Sequence, residues 1–297
     1  MFSVVIPLYN KRPFIERTLR SVLAQRWQDF EVMVVDDGST DNGLEPVRRL
    51  AAEDSRVRFM QVPNGGVSAA RNRGAAATGR PWLAFLDADD EWHPEFLSVL
   101  GATLEKRPDV VLASTSYEVC GPEGARALRF ETRGELAENV PFFDWALDVG
   151  PPIWTSATVV NRSHFEAVGG FDTMLTVGED IHLWVRLLHR GTTLFVNRPL
   201  AVYRRDDAGS LSRSVSARAL ASRERLMAFL REQVRAGRVP LRYLNALREI
   251  HFCELVNSAR YRAALRFYRQ APSFGHVAAL KHVLRHMKRR LRPQVAA

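Results

Sequence analysis

Two aspartates close to residue 90 have the type and the spacing to bind a cation. Asp87 and Asp89 come directly after residues 82–86, an apolar stretch that predicts a buried strand. A strand that ends in carboxylates on alternate residues concentrates negative charge, which a hard divalent cation can neutralise. A Mg²⁺ or Mn²⁺ ion held there could bridge to a diphosphate and offset the charge of a leaving group. The alternative interpretation is an acidic turn before the next helix.

A second acidic pair, Asp36 and Asp37, ends another apolar stretch and is followed by Gly38 and Ser39. Carboxylates at the end of a strand can accept hydrogen bonds from the imide of a nucleobase or from ribose hydroxyls. Turn formation explains the same residues, since Asp, Gly and Ser all favour bends. Both interpretations stay open at this point.

A glycine-rich loop at residues 64–68 opens a helical pattern that carries Arg71 and Arg73. Backbone N–H groups at a helix N-terminus attract anions, so this loop is a candidate phosphate site. It lacks the Gly-x-Gly-x-x-Gly pattern of dinucleotide binding and the Gly-Lys-Ser/Thr ending of a P-loop, which disfavours both enzyme classes. A glycine turn with solvated arginines is the alternative.

A third acidic pair, Glu179 and Asp180, follows Gly178 at the start of an amphipathic helical pattern. Acidic residues in a first turn are stabilised by the helix dipole, so helix capping explains such pairs. The functional alternative is a general base, which would take the proton of an acceptor hydroxyl as a bond to a sugar forms. Three tryptophans are candidates for stacking on sugar rings, although the last of them is expected in the core: Trp92, Trp154 and Trp184.

The elements that must position these residues alternate between strand and helix patterns. Strand-like stretches occur at residues 3–8, 30–35, 57–62 and 82–86. The segments between them, of about 10–15 residues, have helical spacing, which predicts strand–helix–strand units and a mostly parallel sheet. Each acidic or glycine-rich loop follows the carboxyl end of a strand. That edge is where open α/β sheets bind their ligands.

The alternation weakens in the second half of the chain, where the predicted elements are shorter. We predict helices over 94–106 and 178–190, strands over 110–116, 158–161, 193–196 and 201–203, and a hairpin around Gly121 to Gly124. From residue 213 onward the pattern is helical. The predicted domains are therefore residues 1–212 and a basic helical region, residues 213–297.

The composition is that of a globular chain. Its 297 residues are 46% hydrophobic and 25% charged, which is enough for a sizeable core. The two cysteines, Cys120 and Cys253, lie far apart, so neither a disulfide framework nor a zinc site is indicated. No basic region precedes the first apolar stretch, and no run of about 18 apolar residues occurs. We expect no signal peptide, no membrane span and a cytoplasmic location.

Taken together, the motifs resemble glycosyltransferase family 2, an inverting family with the GT-A fold. The resemblance covers residues 1 to about 212 and follows six segments in order: 3–10, 34–41, 64–74, 85–90, 169–172 and 178–180. It implies an α/β fold with a Rossmann-like, mostly parallel sheet flanked by helices, followed here by the helical C-terminal region. It also implies transfer of a sugar from a nucleotide-diphosphate sugar, most commonly UDP-linked, to a hydroxyl of a glycan or lipid-linked acceptor, as in surface polysaccharide biosynthesis.

The resemblance implies roles for residues at the nucleotide. Pro7 and Tyr9, in the loop after the first strand, would contact the nucleobase. Asp36 and Asp37 would do the same, with Asp37 the more direct contact. Arg71 would lie against the nucleotide.

The resemblance also implies the residues that perform the chemistry. Asp89 would bind a Mn²⁺ or Mg²⁺ ion directly, and Asp87 would contact the ribose or a metal-bound water. Asp180 would be the catalytic base, beside Glu179.

The chain departs from the family pattern at two positions. His182 stands where family members commonly have Asp, and Tyr203-Arg204-Arg205 is not followed by the usual His, which leaves Asp206 as a candidate third metal contact. The Gln-x-x-Arg-Trp motif of processive synthases is absent after residue 200, as are their transmembrane helices. Addition of a single sugar is therefore favoured.

The charge is concentrated at the C-terminus. Residues 201–297 carry 21 basic and 6 acidic side chains, a net charge of +15, whereas residues 1–200 carry 21 and 27, a net charge of −6. Residues 281–292 place a narrow apolar stripe among cations, which suits either an anionic membrane surface or packing onto the main domain. The competing function is a non-catalytic, nucleotide-binding or nucleic-acid-associated module that uses this tail. The acidic residues in all three motif loops argue against a non-catalytic module, and the acidic net charge of the part that bears the motifs makes nucleic acid the less favoured partner.

Overall fold

The structure is a computed structural model that describes residues 1–105, 107–205 and 216–257. The chain divides into two compact units, Met1–Leu211 and Ser212–Ala297. In the described residues, the first unit is built on one sheet with the strand order β3-β2-β1-β4-β9-β6-β10-β5, to which β7 and β8 add at β6 and β10.

The first half of this unit has the predicted strand–helix alternation. Its elements are β1 (Phe2–Leu8), α1 (Arg12–Leu23), β2 (Phe30–Asp36), α2 (Leu44–Glu53), β3 (Val57–Gln61), α3 (Val67–Ala76) and β4 (Trp82–Phe85). β1 pairs in parallel with both β2 and β4, and β2 pairs in parallel with β3. Nearly every side chain of β1, β2 and β4 is buried, as the continuous apolar runs predict.

Helix α3 approaches the sheet closely because it presents small residues. Gly74 faces β1, where an added Cβ atom would lie 2.3 Å from Cγ1 of Val5. A glycine is therefore required for this distance between helix and strand. The close approach brings Arg71, one turn earlier on α3, towards the carboxyl ends of the strands.

The second half of the unit is mixed in direction. Its elements are β5 (Glu91–Trp92), α4 (Phe96–Leu104), β6 (Val110–Gly121), β7 (Gly124–Ala127), β8 (Leu136–Glu138), α5 (Phe142–Asp148), a 3₁₀ turn (Thr155–Ala157), β9 (Thr158–Asn161), α6 (Arg162–Ala167), α7 (Glu179–Leu187) and β10 (Thr192–Arg204). β9 runs antiparallel to both β4 and β6, and β6 runs parallel to β10. The carboxyl ends of β4, β6 and β10 therefore lie at the same edge as the start of β9.

The structure corrects several predicted elements. The two strands predicted over 193–196 and 201–203 are one strand, β10, whose register shifts on either side of Pro199. Proline has no N–H group to donate, so the ladder is interrupted where the sequence suggested a gap. The strand predicted over 110–116 extends to Gly121, and the predicted hairpin to Gly124 is confirmed. β5, β8, α5 and α6 were not predicted, since such short elements depend on pairing and packing with distant segments.

The second unit is described through two helices, α8 (Ala217–Arg235) and α9 (Leu241–Asn257), which pack against each other. Ser216 caps α8 by accepting a hydrogen bond from the backbone N–H of Ala219 at 3.2 Å. In the part of the chain that the structure describes, none of the helices combines the length and apolar character that a membrane span requires. Asp206 and the basic stripe at residues 281–292 lie outside the described residues.

Candidate active site

The loops after β1 and β2 are bound to each other at the carboxyl edge of the sheet. Asn10 has a positive φ of 52° and accepts hydrogen bonds from the backbone N–H and hydroxyl of Thr40, at 2.8 and 3.2 Å. The backbone N–H of Asn10 donates to the hydroxyl of Ser39 at 3.1 Å. Pro7, near the end of β1, is half-buried, and Tyr9, directly after the strand, has 47% of its surface exposed. The Tyr9 ring can therefore contact a ligand that lies over this edge.

The buried Asp37 carboxylate holds the glycine-rich loop. It accepts hydrogen bonds from the backbone N–H groups of Gly65 and Gly66, at 2.8 and 2.7 Å. Gly66 has a φ of 89°, a conformation that favours glycine, and it leads directly into α3. Both oxygens of Asp37 therefore already hold the loop for which a phosphate contact was predicted.

Asp36, the other member of the pair, closes the turn after β2. One oxygen accepts the backbone N–H of Ser39 at 3.0 Å. Its Oδ2 atom is buried and has no hydrogen-bond partner among the described residues. The pair thus gives turn formation a clear structural basis, and contact with a nucleobase stays a prediction for both aspartates.

Arg71 joins two of the acidic motifs. Its side chain is 3% exposed, and it donates to Glu179 at 3.0 Å and to Asp87 at 2.6 Å. The guanidinium also lies over the ring of Phe171, 5.1 Å from its centroid. Burial disfavours the charged form, but the carboxylates of Asp87 and Glu179 outweigh it and raise the pKa of Arg71 above its usual value. The arginine predicted to lie against the nucleotide therefore connects α3, β4 and α7.

A second contact from α3 fixes the segment that leads into α7. The side-chain amide of Asn72 donates to the carbonyl of Phe171 at 2.8 Å and accepts its backbone N–H at 2.9 Å. Gly178 then has a φ of 77° at the N-cap of α7, which turns the chain so that Glu179 and Asp180 lie in the first helical turn. The position of this acidic pair therefore depends on α3, about one hundred residues away in sequence.

The acidic residues after β4 have cations beside them, with Arg17 and Arg204 both paired with Glu91, yet two of the carboxyl groups have raised pKa values. Lys11 donates to Asp89 at 2.7 Å. Burial, followed by the charge of Asp87, still raises the pKa of Asp89. Burial, followed by the charges of Asp87 and Asp89, raises the pKa of Asp90 well above its usual value. A divalent cation fits such clustered carboxylates, and Asp87 has one oxygen that accepts no hydrogen bond from the described residues.

The fit to a metal ion is one of charge and ligand type rather than of a preformed cluster. Among residues 1–105, 107–205 and 216–257, no group of three or more His, Cys, Asp or Glu side chains is arranged to hold a metal ion. Asp87 and Asp89 are hard oxygen ligands of the type that Mg²⁺ and Mn²⁺ accept. They would supply only part of a coordination shell, and such ions commonly complete it with water and substrate phosphates.

Asp180 differs from its neighbour Glu179 in its partners. Glu179 is paired with Arg71, whereas Asp180 forms no ion pair within the part of the chain that the structure describes. One Asp180 oxygen accepts the backbone N–H of Ile181 at 2.7 Å. Burial raises the pKa of both carboxyl groups, and for Glu179 the charge of Asp180 adds to it. Of the two carboxylates, Asp180 is therefore the one that is not paired with a cation among the described residues, and so the better candidate to accept a proton.

One residue important for the site, Ser156, was not predicted from the sequence. Ser156 accepts the backbone N–H of Asp87 at 3.1 Å and donates to the carboxylate of Asp90 at 2.7 Å. Asp90 also accepts the backbone N–H of Arg204 at 3.1 Å, which connects the ends of β4 and β10. No local pattern indicates Ser156, because its role depends on β9 lying beside β4. The run of acidic residues from 87 to 91 did indicate Asp90.

The three tryptophans that were candidates for stacking on sugar rings differ in their exposure. Trp92 and Trp184 are 3% and 1% exposed and belong to the core, so neither can stack on a sugar. The core position of Trp184 confirms the expectation from its helix face. Trp154 is half-buried at the edge of the sheet, and His182 is half-buried on α7.

The family model named Glycosyl transferase family 2 matches residues 3–167, more than half of the chain. The chain belongs to this family. The family resemblance and the α/β fold predicted from the sequence are therefore confirmed. Four of the six motif segments lie within the matched region, and those at residues 169–172 and 178–180 follow it.

Among relatives of this family 2 chain, the uncharacterized glycosyltransferase YibD of Escherichia coli K12 is 33% identical over 139 residues, 47% of this chain and 38% of that protein. Validoxylamine A glucosyltransferase of Streptomyces hygroscopicus subsp. jinggangensis is 32% identical over 228 residues, 67% of this chain and 54% of that protein. The chain therefore spans less than two thirds of the length of these curated relatives.

A solved structure shares the fold of the chain. The crystal structure of S. aureus TarS 1–349 in complex with UDP-GlcNAc has a TM-score of 0.63 at 17% identity, and covers 93% of this chain and 74% of that one. The likeness confirms the GT-A architecture, a central sheet flanked by helices and followed by a helical C-terminal region.

Proposed function

We propose that this family 2 chain is an inverting glycosyltransferase that moves one sugar from a UDP-linked donor to a hydroxyl of a glycan or lipid-linked acceptor. The observation that carries the proposal is the Arg71 bridge. One buried guanidinium holds Asp87, from the acidic motif after β4, next to Glu179, from the acidic motif of α7. The candidate metal ligand Asp87 and the acidic pair that contains the candidate base Asp180 are thereby brought to one site. The similarity to validoxylamine A glucosyltransferase and to the TarS structure in complex with UDP-GlcNAc gives further support.

The donor nucleotide would lie over the β1 and β2 ends. Tyr9 is exposed there and would contact the nucleobase together with the half-buried Pro7. Asp37 and Asp36 would act mainly through the loops they hold, which shape the nucleotide pocket and present the backbone of residues 64–66. Arg71 would support the donor site from behind rather than contact the nucleotide, because its charge is already matched by two carboxylates.

A Mn²⁺ or Mg²⁺ ion would be held by Asp89 and Asp87, with Lys11 beside them. When bound, it would offset the negative charge of the departing diphosphate. Lys11 would contribute a fixed positive charge at the same place, since its ammonium lies 2.7 Å from Asp89. The residues of the chain would thus orient the donor with its leaving group at the β4 end.

Asp180 would be the base that takes the proton of the acceptor hydroxyl. Because its pKa is raised, the Asp180 carboxylate is a stronger base than an ordinary aspartate, which favours proton transfer from the weakly acidic hydroxyl. Its lack of an ion pair among the described residues leaves oxygen lone pairs available for that proton. Glu179 would position Asp180 through the bond to Arg71. Attack from the face opposite the leaving group would invert the anomeric centre.

The two units would have separate tasks. Residues 1–212 would form the nucleotide-sugar transferase domain, and residues 213–297 the basic helical region. The net charge of +15 over residues 201–297 would favour contact with an anionic membrane surface. The proposed location is accordingly cytoplasmic, at the cytoplasmic face of the membrane, where lipid-linked acceptors of surface polysaccharides are assembled.

The test is a panel of UDP-, GDP- and dTDP-sugars incubated with the purified full chain and scored by release of free nucleotide. Release with one donor in the presence of Mn²⁺ or Mg²⁺, and its loss after chelation, is the expected result. Ion-independent turnover would contradict the metal assignment alone. Absence of release with every donor and either ion, from a folded protein, would contradict the transferase proposal.

A further inference from the structure

Three aromatic side chains lie together at the carboxyl edge of the mixed half of the sheet. We name Tyr117, Trp154 and Tyr203 the aromatic cluster. The ring centroids of Trp154 and Tyr117 are 4.7 Å apart, and those of Trp154 and Tyr203 are 5.0 Å apart. Tyr117 is 4% exposed and donates its hydroxyl to the carbonyl of Pro151 at 3.3 Å, whereas Trp154 and Tyr203 are half-buried. The cluster therefore has a buried base and two rings that reach the surface.

Both surface rings are connected to Asp90 through the backbone beside them. Trp154 stands two residues before Ser156, whose hydroxyl donates to Asp90 and accepts the N–H of Asp87. Tyr203 directly precedes Arg204, whose N–H also donates to Asp90. The aromatic cluster is thus fixed next to the acidic motif after β4.

The electrostatics of the two tyrosines agree with this position. Burial is the main reason that the pKa of Tyr117 is raised, and the charge of Asp180 contributes to it. Burial also raises the pKa of Tyr203, with a contribution from Asp90 and Asp89. The cluster therefore lies within electrostatic range of the candidate base and of the carboxylates after β4.

The strand order indicates which substrate the aromatic cluster would contact. Along the edge, the loops proposed to contact the nucleotide follow β2 and β1, the carboxylates follow β4, and the aromatic cluster comes from β6, β10 and the turn that leads into β9. The cluster and the nucleotide loops lie on opposite sides of the carboxylates. A donor whose leaving group is at β4 would point its nucleotide away from the cluster, so the cluster faces the side from which an acceptor arrives.

We propose that Trp154 and Tyr203 form a binding subsite for a saccharide ring of the acceptor. One face of a pyranose ring presents C–H groups, which pack well on the negative face of an aromatic ring. The indole N–H of Trp154 makes no hydrogen bond to the residues that the structure describes, so it is available to a sugar hydroxyl. Aromatic rings with a few polar groups beside them are the usual lining of small-ligand sites. The inference rests on the proposed transferase function.

The test compares Trp154→Leu and Trp154→Phe in the full chain. The donor is the one identified by nucleotide release, and the acceptor probes are the methyl glycosides of glucose, galactose, mannose, N-acetylglucosamine, N-acetylgalactosamine and rhamnose. For Trp154→Leu we expect the KM of the accepted glycoside to rise about tenfold or more, with the KM of the donor changed by less than about twofold. Trp154→Phe keeps an aromatic face and is expected to recover most of the loss.

A matched control is Trp145→Leu. Trp145 is also half-buried and also packs on two aromatic rings, Phe130 and Phe195, at 5.1 and 5.3 Å. It is expected to lower stability and to leave the glycoside KM unchanged. A rise in the donor KM for Trp154→Leu, or a fall in stability with no change in glycoside KM, would overturn the subsite.

A binding measurement on the wild-type chain tests the subsite without requiring that the leucine variant folds or that the protein turns over substrate. The wild-type chain labelled with 5-fluorotryptophan is titrated with the same glycosides, and the Trp154 resonance is identified as the one missing from Trp154→Phe. A concentration-dependent shift of that resonance by a glycoside supports the subsite. Titrations that leave it unmoved for every glycoside overturn the subsite. Because no donor is needed, this failure is distinct from failure of the donor panel.

Discussion

The two halves of the sheet build their parts of the site in different ways. In the parallel half, which contains β3, β2, β1 and β4, consecutive strand-end loops hold one another through short polar bonds. Asn10 binds Thr40, and Asp37 binds Gly65 and Gly66. In the mixed half, which contains β9, β6, β10 and β5, the site residues come from segments with no common pattern. A repeated unit thus forms the preorganised edge that we propose for the nucleotide, whereas irregular connections form the side that we propose for the acceptor.

Arg71 is the link between the halves. It extends from α3 of the parallel half to Asp87 on one side and to Glu179 of the mixed half on the other. Because this guanidinium is buried, its two ion pairs are weakly screened by solvent. The comparison therefore predicts that changes at the link and at the base have larger effects than changes within either half.

The largest effect is expected for Asp180→Asn, which removes the proposed base on the mixed side. The rate of transfer should fall about 10²–10⁴-fold, because the acceptor proton then has no positioned carboxylate. Binding of the donor, measured by calorimetry, should stay close to wild type because the parallel half is intact. Transfer at the wild-type rate would rule Asp180 out as the base.

The next largest effect is expected for Arg71→Met, which breaks the link. It leaves two carboxylates near each other without their cation, so the free energy of unfolding should fall by about 3–5 kcal/mol. Denaturant titration measures this loss. Arg73→Met is the matched control on the same helix: its side chain is 42% exposed and lies 3.8 Å from Asp37, so the expected loss is below about 1 kcal/mol. Equal losses in the two variants would contradict the linking role.

A smaller effect within the parallel half is expected for Gly74→Ala. The added methyl group meets Val5 and must displace α3 or the strand, so stability should fall by about 1–3 kcal/mol. Gly79→Ala is the control, because an added Cβ there has no heavy atom within 4 Å. Thermal unfolding of both variants measures the difference, and a stable Gly74→Ala protein would show that the close helix–strand contact is dispensable.

The smallest expected effect is a displacement of the pH profile. Burial raises the pKa of Asp180, and a base acts only when deprotonated, so transfer should be lost as the pH falls through this raised value. The acid limb of kcat/KM should therefore lie above the usual aspartate value of 3.8. A pH series on the wild-type chain measures the limb, which should disappear in the residual activity of Asp180→Asn. An acid limb at or below 3.8 would contradict the assignment.

Sequence patterns predicted the elements of the parallel half of the sheet better than those of the mixed half. The strands and helices around Asp36 and Asp87 were predictable because apolar runs and turn residues repeat there with regular spacing. β5, β8 and α5 were not, since their lengths and composition do not distinguish them from loops. The break predicted in β10 came from Pro199, which interrupts the hydrogen-bond ladder without ending the strand.

The sequence by itself determined the alternating first half, the acidic and glycine-rich motifs at its strand ends, and membership of the family that those motifs indicate. Local periodicity and turn chemistry suffice for these, because they depend on neighbours in the chain. Only the tertiary structure decided that Arg71 binds two carboxylates, that Asp37 holds a glycine loop, and that Trp154 rather than Trp92 reaches the surface. Partner choice and burial depend on which distant segments pack together, and no local pattern carries that information.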